Sequence, residues 1–180
     1  VKLLFSLLLT LLVTVLPAAD TADAQSPYAL PALRRHYRQA ATDEEASRRF
    51  HLLMRNYAQR DAVVLAYKAA SEAIMAKHTG GVFDKLDRVK AASQQFDAAV
   101  ALNPKHPEVR FLRFSIESNL PKFLGASKHL DEDRALVQQA LLRHPNSGLD
   151  AEGFRIVRDF MLTNNHIGGS EAAKLRQLPE

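Results

Sequence analysis

From Ser26 onward apolar residues recur at intervals of three and four, and no stretch alternates with period two. That pattern predicts helices throughout and no strands. Ser26-Pro27 and Pro31 open the folded region, and a short helix around Leu33–Ala41 places Leu33 and Tyr37 on one face. Thr42-Asp43-Glu44-Glu45 reads as an N-cap followed by an acidic first turn, suited to the positive end of the helix dipole. The helix it opens, 43–58, turns Ala46, Phe50, Leu53 and Tyr57 inward and leaves Arg48, Arg49 and Arg55 to solvent. Asp61 caps the next, 62–77, where Val63, Val64, Leu65, Tyr67, Ile74 and Met75 alternate with four alanines. A helix apolar nearly all round and small on several sides belongs at the centre of a packed structure.

After Thr79-Gly80-Gly81 a helix over 84–102 carries Val89, Phe96, Val100 and Leu102 and stops at Asn103-Pro104. Pro107 starts the next at a first-turn position, where its missing N–H costs nothing. That helix, 107–119, holds Val109, Phe111, Leu112, Phe114 and Ile116 and is expected to be buried on most sides. Lys122–Leu130 reads as an irregular or short helical connection. A helix over 131–143, opened by Asp131 or a near neighbour, turns Leu136, Val137, Ala140 and Leu141 inward. Asp150 precedes one over 151–163 with Phe154, Val157, Phe160 and Met161. Past Gly168-Gly169, Ser170 is the expected cap of a terminal helix whose Leu175 and Leu178 close the open end.

Within this pattern Ala92-xxx-Phe96-xx-Ala99-xxxx-Pro104 resembles the second half of a tetratricopeptide repeat, and Tyr67-xx-Ala70-Ser71-xx-Ile74 resembles its first helix. Asp133, Val137, Ala140 and Pro145 take the matching positions one repeat later, with only the last two matching by type. Pro104 and Pro145 lie 41 residues apart, against roughly 34 in that family, and the Thr79-Gly80-Gly81 connection is longer than the family's tight turn. The resemblance covers about residues 43–145. It implies an all-α chain of stacked antiparallel helical hairpins with lengthened repeats, either a right-handed solenoid or a compact helical bundle, and a binding scaffold rather than a catalyst.

Leu3–Leu16 is an almost unbroken apolar run between Lys2 and Pro17, followed by Ala22-Asp23-Ala24. This is the layout of a secretory signal peptide, residues 1–24, with cleavage near Ala24; an uncleaved anchor is the alternative, although the run falls short of the ~20 residues of a comfortable span. Residues 25–180 then form a single all-α domain without a transmembrane helix, exported to the periplasm or the medium. The chain carries 24 Lys and Arg against 20 Asp and Glu, a formal net charge of +4, which loss of Lys2, Asp20 and Asp23 raises by one. For an exported protein such an excess suits solubility or weak contact with an anionic envelope surface rather than nucleic acid. No cysteine is present, which excludes disulfides, thiolate zinc sites and cysteine nucleophiles.

Candidate chemistry is sparse. The seven histidines form no HExxH or i, i+4 pair; His78, His129 and His144 fall near helix ends, where an imidazolium suits the negative pole. His129-Leu130-Asp131-Glu132-Asp133 lacks the glycine and spacing of a calcium loop and reads as an acidic first turn. Glu44 and Glu45 point apart on a helix and make no glycosidase pair. Arg110 and Arg113 are the candidate ligand-binding residues: two arginines on one stripe of a central apolar helix must meet solvent, an acidic partner such as Glu117, or a ligand carboxylate or phosphate that a forked guanidinium grips well. Lys68 and Glu72 form a comparable stripe. Arg34, Arg35, Arg38, Arg48 and Arg49 form a basic cluster expected to be solvated or to touch anionic lipid.

The expected function is therefore non-enzymatic binding of a protein or peptide partner in the bacterial cell envelope, without cofactor or metal. The alternative is a small-molecule or lipid carrier with an apolar cavity between helices. A third possibility, a hydrolase or metal enzyme, requires two or more of His51, His78, His106 and Glu72 to converge in a cleft.

Overall fold

The computed structural model describes residues 26–121 and 124–179, so the Leu3–Leu16 run and the cleavage expected near Ala24 lie outside the described residues. Among the described residues eight α-helices follow one another: α1 (Leu30–Ala40), α2 (Glu44–Arg55), α3 (Ala62–Met75), α4 (Val82–Leu102), α5 (Pro107–Glu117), α6 (Leu130–Leu141), α7 (Ala151–Thr163) and α8 (Gly169–Gln177). The 3-10 turn Ala76–His78 extends α3, and the described residues contain no strand. The fold is all-α, as the periodicity predicts.

Three helices start where an aspartate closes the first turn. Asp43 accepts from Ala46 N at 2.6 Å, Asp61 from Val64 N at 2.9 Å and Asp150 from Gly153 N at 2.7 Å, each satisfying a backbone donor that the helix leaves unpaired. α6 begins at Leu130, a near neighbour of Asp131 as expected, with His129 as its N-cap. One expected cap is corrected. The terminal helix is capped by Gly168, because Ala172 N already bonds Gly168 O at 3.3 Å and Ser170 is inside the first turn. α4 starts at Val82 rather than 84, since Gly81 at φ 75 makes the sharp exit from the 3-10 turn, a backbone conformation that glycine adopts without strain.

α3 is the central element, packing against α1, α2, α4 and α5. Consecutive helices from α1 to α4 pack on each other across short connections and so run in opposite directions. The α3–α4 contact is the most extensive, because Ala66, Ala69, Ala70 and Ala73 are buried and let the α4 backbone come close. Into that seam α4 inserts Ala92, Phe96 and Ala99, all buried. The core then continues without a break from Leu33 of α1 to Leu175 of α8. Burial of side chains such as Phe50, Phe96 and Phe154 contributes roughly 1.5–3 kcal/mol each. Leu102, expected on the apolar face, is exposed at the end of α4.

α4 has 21 residues against 14 in α3. Its first two turns therefore overhang the body of the molecule: residues 82–87 are exposed, whereas Val89 onward alternates buried and open positions.

Candidate binding groove

Beneath this overhang lies a groove of about 720 Å³ bounded by α1, the end of α3, the start of α4, the end of α5 with the segment after it, and α7. The α4 wall is Val82, Lys85, Leu86 and Val89, one helical face by spacing; Ile74, Ile116, Leu120, Leu124 and Phe160 face it. At the polar floor the Tyr37 and Ser115 hydroxyls meet at 2.9 Å, Ser115 Oγ donates to Leu112 O at 2.8 Å and Asn119 Nδ2 to Ser115 O at 2.8 Å. These groups satisfy one another, and burial pushes the Tyr37 phenol above its ordinary range.

The groove's charge is one-sided. Arg38, Lys77 and Lys85 line it, and no aspartate or glutamate does among the described residues. The Ser47 hydroxyl, which bonds Ala40 O at 2.7 Å and lies 3.4 Å from His78 Nε2, draws the ends of α1 and α3 together beside these cations. Val82 and Phe83, at 67% and 83% exposure, form an apolar lip where α4 begins.

Arg110 and Arg113 lie elsewhere. Both are buried and converge on the fully buried Asp133 of α6. Arg110 Nη1 donates to Asp133 Oδ1 and to Glu132 Oε1, both at 2.7 Å, and its Nε to Pro104 O at 2.7 Å. Arg113 grips Asp133 with a fork, Nε to Oδ2 at 2.7 Å and Nη2 to Oδ1 at 2.9 Å, and reaches Asp97 at 3.1 Å. Despite burial, the bond to Asp133 drives the Arg113 guanidinium further above its ordinary range. The acidic partner is thus not the expected Glu117. That carboxylate instead accepts from His129 N and faces His129 Nδ1, each at 2.8 Å, holding the start of α6. The structure brings Arg110 and Arg113 together, and neither lines the groove.

Arg34 corrects the expectation of a solvated N-terminal cluster. Its guanidinium is buried and forks onto Glu108 of α5 at 2.9 and 2.7 Å, and it bonds Asp150 at 2.8 and 3.0 Å. Tyr67 Oη donates to the same Glu108 at 2.7 Å. Burial first, then the Glu108 charge, pushes the Tyr67 phenol well above its ordinary range. This cluster ties α1, α3, α5 and α7 together. Arg35, Arg38, Arg48 and Arg49 are exposed, the last two pairing with Glu44 and Glu45 one turn away.

Of the four residues named for a catalytic cleft, two meet: His51 Nδ1 stands 3.5 Å from Glu72 Oε2, and Arg88 Nη1 bonds Glu72 Oε1 at 2.7 Å. His78 pairs instead with Glu44 and Ser47, and His106 belongs to neither group. Lys68 Nζ donates to Tyr57 O at 2.7 Å, closing the α2–α3 connection. His129 sits at the N-terminus of α6, opposite to the pole expected for it, because Glu117 supplies the negative charge there. No group of three or more potential metal ligands occurs among the described residues, and none of their helices is long and apolar enough to cross a membrane.

Sequence reasoning missed the groove. Its signal was Val82-xx-Lys85-Leu86-xx-Val89 in an over-long helix, an apolar stripe with nothing left for it to pack on. Comparison with protein-family models, with curated proteins and with solved structures gave no match.

Proposed function

We propose that this chain is a non-catalytic binding protein that takes an apolar guest into the groove between α1, α3, α4, α5 and α7. The observation that carries this reading is the groove itself. Its volume of about 720 Å³ falls within the roughly 300–1,000 Å³ of ligand sites, its walls are largely aliphatic and aromatic, and the Tyr37 and Ser115 hydroxyls on its floor are paired with each other. Export, expected from Leu3–Leu16, places such a carrier in the cell envelope and belongs to the same proposal. The tetratricopeptide resemblance offers a second reading, capture of an amphipathic peptide, which the exposed Val82-Phe83 lip favours.

Titration with the neutral, polarity-sensitive dye Nile red tests the proposal. The expected result is saturable one-to-one binding, weakened about tenfold or more in Leu86→Asp, since a carboxylate in the wall must be desolvated by the guest. Leu86 is partly exposed, so the variant keeps its melting temperature. Absence of saturable binding, or binding that Leu86→Asp leaves untouched, contradicts the proposal.

A further inference from the structure

We infer that the groove's guest is a free single-chain amphiphile with an anionic head, such as a long-chain carboxylate, its head held by Arg38, Lys77 and Lys85. The inference rests on the groove being a binding site and adds the guest's chemistry.

The distribution of charge carries it. The protein has 20 acidic residues, yet the groove's described lining has three cations and no carboxylate. All three cations come from α1, the 3-10 turn and α4, whereas α5 and α7 contribute none. Their charge is largely unspent. The nearest acidic group to Arg38 is Glu152 at 3.9 Å, beyond hydrogen-bond range, and the Arg38 side chain is 57% exposed. Lys77 and Lys85 are exposed, and no carboxylate pairs with them among the described residues. An anionic head there gains charge-assisted hydrogen bonds. A chain running from it toward Ile116, Leu120 and Phe160 replaces water on apolar surface. Phe83 and Val82 give the chain an apolar edge to cross on entry.

The floor fits this division. Tyr37, Ser115 and Asn119 are the polar groups a second head could use, and they are bonded to one another or to backbone. One polar end and one apolar tail is what remains. A cationic head would meet three positive charges, with only Glu152, 3.9 Å from Arg38, to offset them.

The experiment compares palmitate, hexadecanol and hexadecylamine as competitors of Nile red bound to the protein at neutral pH and low salt. The expected order is acid tightest and amine weakest, with the acid at least about tenfold better than the alcohol, an advantage that added salt erodes. In the variant Arg38→Gln/Lys77→Gln/Lys85→Gln the ratio of acid to alcohol affinity is expected to fall toward one. Equal affinities for acid and alcohol in the unmodified protein overturn the inference while leaving the groove's binding role intact. A ratio that survives the triple substitution also overturns it. Competition by an acidic amphipathic helical peptide without competition by palmitate does the same, as does co-sedimentation with anionic phospholipid vesicles in place of palmitate binding. If Nile red itself fails to bind, the proposed function fails first.

Discussion

At Asp133 an aspartate with no exposed surface accepts from two buried arginines on the preceding helix. Removing one partner of such a set leaves uncompensated charge in a dry interior, which costs about 3–5 kcal/mol. Asp133→Ala is therefore expected to lower unfolding stability by that amount in urea titration. Joint replacement of Arg110, Arg113 and Asp133 by apolar residues of similar volume is expected to recover most of the loss. Gly153 offers a second test. A Cβ there meets Arg34 Nη2 at 2.6 Å, an atom already fixed by Glu108. Gly153→Ala thus destabilises by roughly 1–3 kcal/mol, although alanine ordinarily favours a helix by up to ~1 kcal/mol; a stabilised variant in thermal melts contradicts the packing at Arg34. Neither site was legible as such. A charged residue in an amphipathic pattern reads as surface, and only contacts across α1, α5, α6 and α7 make these charges internal. One clue existed: Asp133 lies 41 residues after Ala92, in the position corresponding to that small residue of the pattern, with two arginines on the apolar helix before it.

The two ends of α4 behave differently. Phe96 is 2% exposed in the alanine-lined seam, whereas Phe83 on the same helix is 83% exposed. Phe96→Ala is expected to cost about 3–5 kcal/mol and Phe83→Ser no more than about 0.5 kcal/mol, both by chemical denaturation; comparable losses would mean that the α4 tip is packed, not free. Helix order, the aspartate caps and the inward face of α3 follow from periodicity and capping chemistry, so they were predictable from short stretches of chain. The buried half of α4 was predictable for the same reason. The overhang was not, because it depends on where α3 ends relative to α4, a comparison of two distant segments. The long Thr79-Gly80-Gly81 connection hinted at it without saying which side would be left open.

Across the whole molecule, ionisation sets a stability plateau. Burial, with nearby arginines, holds the imidazoles of His36, His51 and His166 below their ordinary range, and burial does so for His106. Their unfolded counterparts bind protons first, so stability is full above about pH 6.5 and falls as pH drops through the lowered values. Glu132, held down by Arg110, and Asp150, held down by Gly153 N–H and Arg34 against the opposing effect of burial, add a further loss at lower pH. Tyr37 and Tyr67 act at the other end. Their raised values keep stability intact below about pH 10, the unfolded phenol's range, and lose it as pH climbs further. Urea midpoints measured against pH are expected to be flat between these limits and to fall on both sides. A midpoint that rises below pH 6 contradicts the burial assigned to the histidines.

The same organisation leaves one end of the bundle open, walled by α4 and rimmed by cations, and the functional account depends on a guest entering there. Titration of isotopically labelled protein with palmitate, followed by amide and methyl shifts, addresses this directly. The account predicts shifts centred on Ile74, Val82, Leu86, Ile116 and Leu120, with Phe50 and Met54 unmoved. Shifts confined to residues outside the groove, or none at saturating palmitate, would contradict it.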